Sequence, residues 1–283
     1  MRFTLKNAFL ILLFLSFPVS AHTASADITD WTKMEKELID LVNSERRIRN
    51  LAELQYSEKL TEVARAHSRR MKREQKMSHH FPGYPDMETR LIQKNLYFST
   101  AGENVALTDL PDMQFVHHAL MDSPKHRDNI LSTRYRQIGI GIDADANHFF
   151  ITQNFADLIT PVSEQQMEEE LIGLILEQHP RHIRIVKTDK ALTLFCRKKS
   201  QDFLSGRFDK KIPDFWASGR VDIFTHSFVK ITEVIPKIID SLGTLESSCA
   251  LGVKFGRSRF NPGGTYIVTV VRLMDTIRRR KSR

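Results

Sequence analysis

The chain has 283 residues, 41% hydrophobic and 27% charged, a length for one large domain or two ordinary ones and a composition ordinary for a soluble globular protein. Its formal charge is +8, but Arg2, Lys6 and the five basic residues of the 278–283 tail supply seven of those charges. The body is therefore close to neutral, and the basic pI of about 9.5 is no argument for a nucleic-acid-binding fold. At most the tail gives weak attraction to an anionic surface such as lipid or wall polymer.

Arg2 and Lys6 begin the chain with positive charge, and Ala8 to Phe17 is almost wholly apolar. Val19-Ser20-Ala21 and Ala24-Ser25-Ala26 have the form of small-residue cleavage sites. This pattern predicts a secretory signal peptide over 1–26. The apolar run is shorter than the roughly 20 residues of a membrane-spanning helix, and no later stretch is long and apolar enough to span. A secreted or periplasmic protein is expected, with no nucleic-acid partner and no transmembrane segment after cleavage. Cys196 and Cys249 would then sit in an oxidising compartment. A disulfide between them is slightly favoured over two buried free thiols.

Leu38, Leu41 and Val42 recur at helical spacing within Met34 to Glu45. Leu60, Val63, Ala64, His67 and Met71 repeat the pattern, with Ser57 as N-cap. Phe115 to Leu120 suggests a third helix. Ile138–Ile142 and Phe149–Phe155 read as strands across a polar turn. Residues 160–166 are polar and form a boundary.

Beyond that boundary the sequence starts again. Met34-Glu-Lys-Glu-Leu-Ile is echoed by Met167-Glu-Glu-Glu-Leu-Ile. Leu60-Thr61, Arg65 and Ser68 recur as Leu192-Thr193, Arg197 and Ser200; Ile140-Gly141-Ile142 recurs as Leu251-Gly252-Val253. Weaker matches relate the four residues ending at Gly102 to those ending at Gly219, and Pro124-Lys125 to Pro236-Lys237. The shared order predicts an internal repeat with deletions in the second copy. In this alignment Glu103 falls on Arg220, His126 on Ile238 and His79 near Lys211, so the second copy keeps framework positions and loses polar ones. A Cys196–Cys249 bridge would staple helix to sheet there if the side chains approach.

The first half is dense in histidine: His67, His79, His80, His117, His118, His126 and His148. Three segments stand out by form. Met77-Ser-His-His80 precedes a Pro/Gly-rich loop. Ala101-Gly-Glu-Asn-Val-Ala106 sets a carboxylate and an amide beside a glycine. Asp122-Ser-Pro-Lys-His-Arg-Asp-Asn-Ile-Leu131 places His126 in a turn opening a short helix, with Asp122 or Ser123 as N-cap and Pro124 first.

Together these segments resemble the bacterial branch of the CAP superfamily (cysteine-rich secretory protein/antigen 5/pathogenesis-related 1). The matching stretches are Ser78-His79, Gly102-Glu103-Asn104-Val105-Ala106, Ser123-Pro124 with His126-Arg127, Asn129-Ile130-Leu131, Ile138-Gly139-Ile140-Gly141 and Thr152-Gln153. The resemblance implies an α+β fold, an α–β–α sandwich of CAP type over 30–160. A smaller α+β unit over 165–274, a degenerate repeat, and a basic tail over 275–283 would follow. It also implies a cleft holding His79, His126 and Glu103, bordered by Ser123, where animal and plant members carry a second glutamate. Leu120 stands where Trp is usual and Lys125 where Gly is usual, and both are expected at the cleft.

Two imidazoles and a carboxylate admit three roles. They can supply three ligands of a zinc site, act as acid and base, or form a structural network in which Glu103 accepts from both histidines. Asn104 is expected to fix its loop through backbone hydrogen bonds, with Gly102 permitting the turn. Arg90 can pair with an acidic group across the loop, and a solvated surface residue is the favoured reading. No serine or cysteine sits in a nucleophile motif. The favoured function is therefore a non-catalytic binding module for a lipid, cell-wall fragment or protein partner. The alternative is a metal-dependent hydrolase of peptide or wall bonds using metal-activated water. Glu103→Gln is expected to leave the fold intact and alter ligand or metal affinity.

Overall fold

The computed structural model describes residues 27–178, 183–185, 190–207, 220–243 and 247–274. The expected signal segment 1–26, the tail 275–283, Lys211 and the residues before Gly219 lie outside these.

In chain order the first unit contains α1 (Asp27–Ile48), β1 (Gln55–Tyr56), α2 (Glu58–Glu74), α3 (Met87–Gln93), β2 (Tyr97–Thr108), α4 (Met113–Asp122), α5 (Pro124–Leu131), β3 (Gln137–Ala144) and β4 (Phe149–Ile159). Its sheet has the order β1-β3-β4-β2. β1 runs parallel to β3, and the other pairs are antiparallel. Strand alternation sends Ile138, Ile140, Ile142, Ile151 and Phe155 to one face, where they pack with Leu38 and Val42 of α1, Val116 of α4 and Ile130 of α5. The other face meets α2 and α3 through Leu60, Val63, Leu91 and Ala156, and through Met71, Val105 and Phe150. This is an α–β–α sandwich. Ser57 Oγ caps α2 by accepting from the Leu60 N–H, as its sequence predicts, and Gln75 ends the helix in a left-handed conformation.

Two expectations are corrected. Leu120 is a core residue packed under α4, not a cleft wall. Gly102 permits no turn, because it lies inside β2; a Cβ there would sit 2.3 Å from the Tyr135 hydroxyl.

The second unit contains α6 (Glu164–Gln178), β5 (Ile183–Ile185), α7 (Lys190–Leu204), β6 (Arg220–Phe228), α8 (Ile231–Leu242), β7 (Ser247–Ser258) and β8 (Asn261–Met274). Its strand order, β5-β7-β8-β6, and its pairing directions repeat those of the first sheet. Polar contacts repeat as well. Arg65 donates to Glu35, whose Oε1 also accepts from Ile142 N; Arg197 donates to Glu168, whose Oε1 accepts from Val253 N. Ser68 Oγ bonds Gly141 O and Thr152, and Ser200 Oγ bonds Gly252 O and Thr269. Gly141 and Gly252 let the helix backbone lie on the sheet, since a Cβ would come within 2.1 Å of Arg65 N and 2.5 Å of Arg197 N.

Thr152 is opposite Gly141, and Thr269 is opposite Gly252. Aligning on these pairs sets Glu103 against Ile223, Asn104 against Phe224, Gln153 against Val270 and Asn154 against Val271. The expected match of Glu103 to Arg220 is thus three residues out of register. No described element matches α5, and Ile238 is a buried core residue of α8.

The disulfide expectation fails for a geometric reason. Both cysteines are free thiols. Cys196 of α7 packs with Ala250, whereas Cys249, the adjacent residue of β7, faces the core under α6 and α8. Neighbouring strand residues point to opposite faces, so the sheet separates the two sulfurs.

The units touch through β2. Tyr97 stacks edge-on against Phe255 at 4.9 Å, and Arg257 covers the Tyr97 ring while Nη2 donates to Leu96 O. Among the described residues no helix is long and apolar enough to cross a membrane.

Candidate functional site

β2 is the edge strand of the first sheet. Its alternation aims Glu103 at the α2/α3 layer and Asn104 at the opposite one. Glu103 is almost wholly buried, its side chain 6% exposed. Oε1 accepts from His79 Nδ1 at 3.0 Å and Oε2 accepts from Arg90 Nη2 at 2.5 Å. His67 Nε2 lies 3.7 Å from Oε1. Burial pushes the Glu103 carboxyl upward, but the His79 hydrogen bond and the Arg90 charge outweigh it and hold the group below the usual carboxylate range.

His67 is the floor of the site. Its ring is fully buried, stacks on Tyr84 at 5.7 Å, and donates from Nε2 to Ser78 O at 3.0 Å. That bond assigns the tautomer and ties α2 to the segment carrying His79. Burial lowers its pKa to about 4, so the ring is neutral near pH 7. Arg90 of α3 is equally enclosed, at 5% exposure, and stacks over the same Tyr84 ring.

On the other face, Asn104 is fully buried. Nδ2 donates to His126 O and to Gln153 Oε1, each at 3.1 Å, and Oδ1 accepts from Asn129 Nδ2 at 2.9 Å. Tyr135 hydroxyl donates to Asn129 Oδ1. This chain anchors α5 to β2 and sets the position of His126. The His126 pKa is lowered, first by burial and then by the His79 imidazole. Ser123 is the N-cap of α5, with Pro124 at the first position, and its hydroxyl makes no cap hydrogen bond.

The structure therefore joins His79 to Glu103 by a hydrogen bond and the His126 backbone to Asn104, the next residue of the same edge strand. Two participants were not placed at the site by sequence reasoning. His67 counted among the dense histidines and in the buried α2 stripe, and nothing local singled it out from the others. Arg90 was favoured as a solvated residue over pairing with an acidic group; it is buried because α3 packs beside it through Leu91 and because Glu103 supplies its counter-charge.

The donor set falls short of a zinc site. Glu103, the expected third ligand, has one oxygen on His79 and the other on Arg90. Among the described residues no three His, Cys, Asp or Glu side chains are grouped to hold a metal ion. His79 Nε2 and the His126 ring remain, fewer than the three protein ligands of a catalytic zinc. These residues do not fit a three-ligand centre.

The profile of the cysteine-rich secretory protein (CAP) family matches residues 39–155. Over 120 residues the chain is 36% identical to the uncharacterized protein YkwD of Bacillus subtilis, covering 42% of this chain and 46% of that protein. It is 33% identical over 124 residues to the uncharacterized membrane protein YlbC of the same organism, covering 44% and 34%. An extracellular SCP-domain protein from Bacillus anthracis, a solved structure, shares 29% identity over 44% of this chain and 41% of its own, with a TM-score of 0.41. The chain thus spans less than half the length of the curated relatives it matches.

Proposed function

Because residues 39–155 match the CAP family profile, we propose that this chain is an exported binding module of that family. Its His79/His126 edge holds a lipid, a cell-wall fragment or a protein partner without chemical turnover. The carrying observation is the state of Glu103. Both its oxygens are engaged, it is buried and it stays ionised. It is a structural counter-ion for Arg90 and a brace for His79, and its lowered basicity makes it a poor proton acceptor. What the edge offers a ligand is His79 Nε2 and the His126 ring, which fits hydrogen-bonding recognition. Among the described residues no activated nucleophile supports turnover. Cys196 and Cys249 are buried in the second unit, with thiol pKa values raised to about 12.

The second unit reads best as a degenerate repeat of the first. It keeps the Glu–Arg, Ser–Thr and glycine contacts that seat helix on sheet, and it replaces the site's polar positions with Ile223, Phe224, Val270 and Val271. Its role is support.

The test is retention of the purified protein on cell-wall sacculi, on phospholipid vesicles and on extracts of envelope proteins, compared with His79→Ala/His126→Ala. One matrix should retain the wild type and release the double variant. Equal retention of both on every matrix would refute the assignment of the edge.

A further inference from the structure

A second candidate site lies on the far side of α2. Trp31 and Thr32 of α1, Arg65 and Arg69 of α2, and Ile142 and Asp143 of β3 enclose a groove of about 230 Å³. It is distinct from the His79 edge. Residues 65 and 69 project from the side of α2 opposite to residue 67, and β3 is separated from β2 by β4.

The electrostatics of the groove are uneven. Arg65 is held by Glu35 through Nε and Nη2, at 2.8 and 2.5 Å, so its guanidinium is fixed in orientation with Nη1 left over. Asp143 is neutralised by Lys72 Nζ at 2.5 Å. Arg69, one turn beyond Arg65, is exposed and has no acidic partner among the described residues. One fixed and one free guanidinium thus meet beside an indole that packs edge-on against Phe149 at 5.8 Å.

The second unit carries different residues at the corresponding place. By the alignment above, Trp31 corresponds to Glu164, Asp143 to Lys254 and Arg69 to Gln201. There Glu164 and Lys254 form an ion pair at 2.7 Å, and Glu164 also accepts from Phe255 N. The same place on the same framework carries an ion pair in one unit and, in the other, an aromatic residue beside an arginine with no acidic partner among the described residues.

We propose that the Trp31/Arg65/Arg69 groove binds an anionic saccharide unit, a carboxylate-bearing pyranose. The acid would be taken by Arg69 and Arg65 Nη1, because a guanidinium fork matches a carboxylate. The flat apolar face of the sugar ring would lie against the indole, as aromatic faces accept apolar surface, and Asp143 would accept from ring hydroxyls. This site stands independently of the reading of the His79 edge.

The probe is a glucuronate-containing oligosaccharide titrated calorimetrically into the full chain, beside its carboxyl-reduced, neutral form and inorganic phosphate. The acidic form should bind at least tenfold tighter than the neutral one. Arg69→Ala and Trp31→Ala should each weaken it at least fivefold. Trp31→Glu with Asp143→Lys, which rebuilds the second unit's ion pair, should abolish binding with the circular dichroism spectrum unchanged. His79→Ala/His126→Ala should bind it like the wild type. Equal affinity for acidic and reduced forms, wild-type affinity in Arg69→Ala, phosphate competing as well as the oligosaccharide, or no binding of the acidic form would each overturn the proposal.

Discussion

Arg90 Nη2 lies 2.5 Å from Glu103 Oε2, and each side chain is exposed by only about one part in twenty. The pair joins α3 to β2 beneath His79 and sets the chemistry of the whole edge. Breaking a buried pair from one side leaves a stranded charge, which costs about 3–5 kcal/mol. Glu103→Gln is therefore expected to lower unfolding free energy by about 3 kcal/mol. Arg90→Ala should cost as much. Urea unfolding monitored by circular dichroism measures both.

His67 gives the first unit an acid sensitivity of definite sign. Its folded pKa is about 4 against 6.5 for the free side chain. Between those values the unfolded chain binds the extra proton, so stability falls as pH drops from 6.5 towards 4, by up to ~3 kcal/mol. His67→Gln should be less stable than the wild type at pH 7 and should show a shallower loss between pH 6.5 and 4. Parallel urea midpoints across that range for both proteins measure the difference.

The glycines under the second helix of each unit should be intolerant of a methyl group. Gly141→Ala puts a Cβ 2.1 Å from Arg65 N, and Gly252→Ala puts one 2.5 Å from Arg197 N. The contacted atoms are backbone, which must shift bodily. Each change should cost about 1–3 kcal/mol, read as a lowered thermal midpoint. Gly83→Ala, in a loop with no neighbouring atom within 4 Å but at φ +68°, should cost only the left-handed strain of about 1–2 kcal/mol.

Cys196 and Cys249 face opposite sides of β7, and burial raises both thiols to about 12. A thiol reagent should modify neither in the native protein and both after denaturation. A native intramolecular disulfide detected by mass spectrometry would contradict the register of β7.

Much of this architecture was legible in the sequence. The spacing of Leu60, Val63, Ala64, His67 and Met71 defined α2 and its buried face. Ser57 and Pro124 marked helix starts because their chemistry suits a cap and a first turn. The β2 strand was hidden, since Ala101-Gly102-Glu103-Asn104 mixes small and polar residues and lacks apolar alternation; its polar side chains are buried only because partners from four other segments satisfy them. The Arg90–Glu103 and Asn104–Asn129 contacts are tertiary, and no local pattern announces them. Register was the other blind spot. The match of Glu103 to Arg220 looked reasonable along the chain, but sheet pairing is two-dimensional and put Ile223 there. The cysteines failed likewise, because the helix-to-sheet proximity was right and the facing was wrong.

The most direct test of the edge as a binding site without turnover is a paired assay on cell-wall sacculi. Bound protein and released soluble fragments are quantified together, with saturating zinc and with chelator. The account predicts no fragment release above the protein-free control in either condition, for the wild type and for Glu103→Gln alike. Zinc-dependent release by the wild type that vanishes in a folded Glu103→Gln protein would contradict it and make Glu103 part of a catalytic centre.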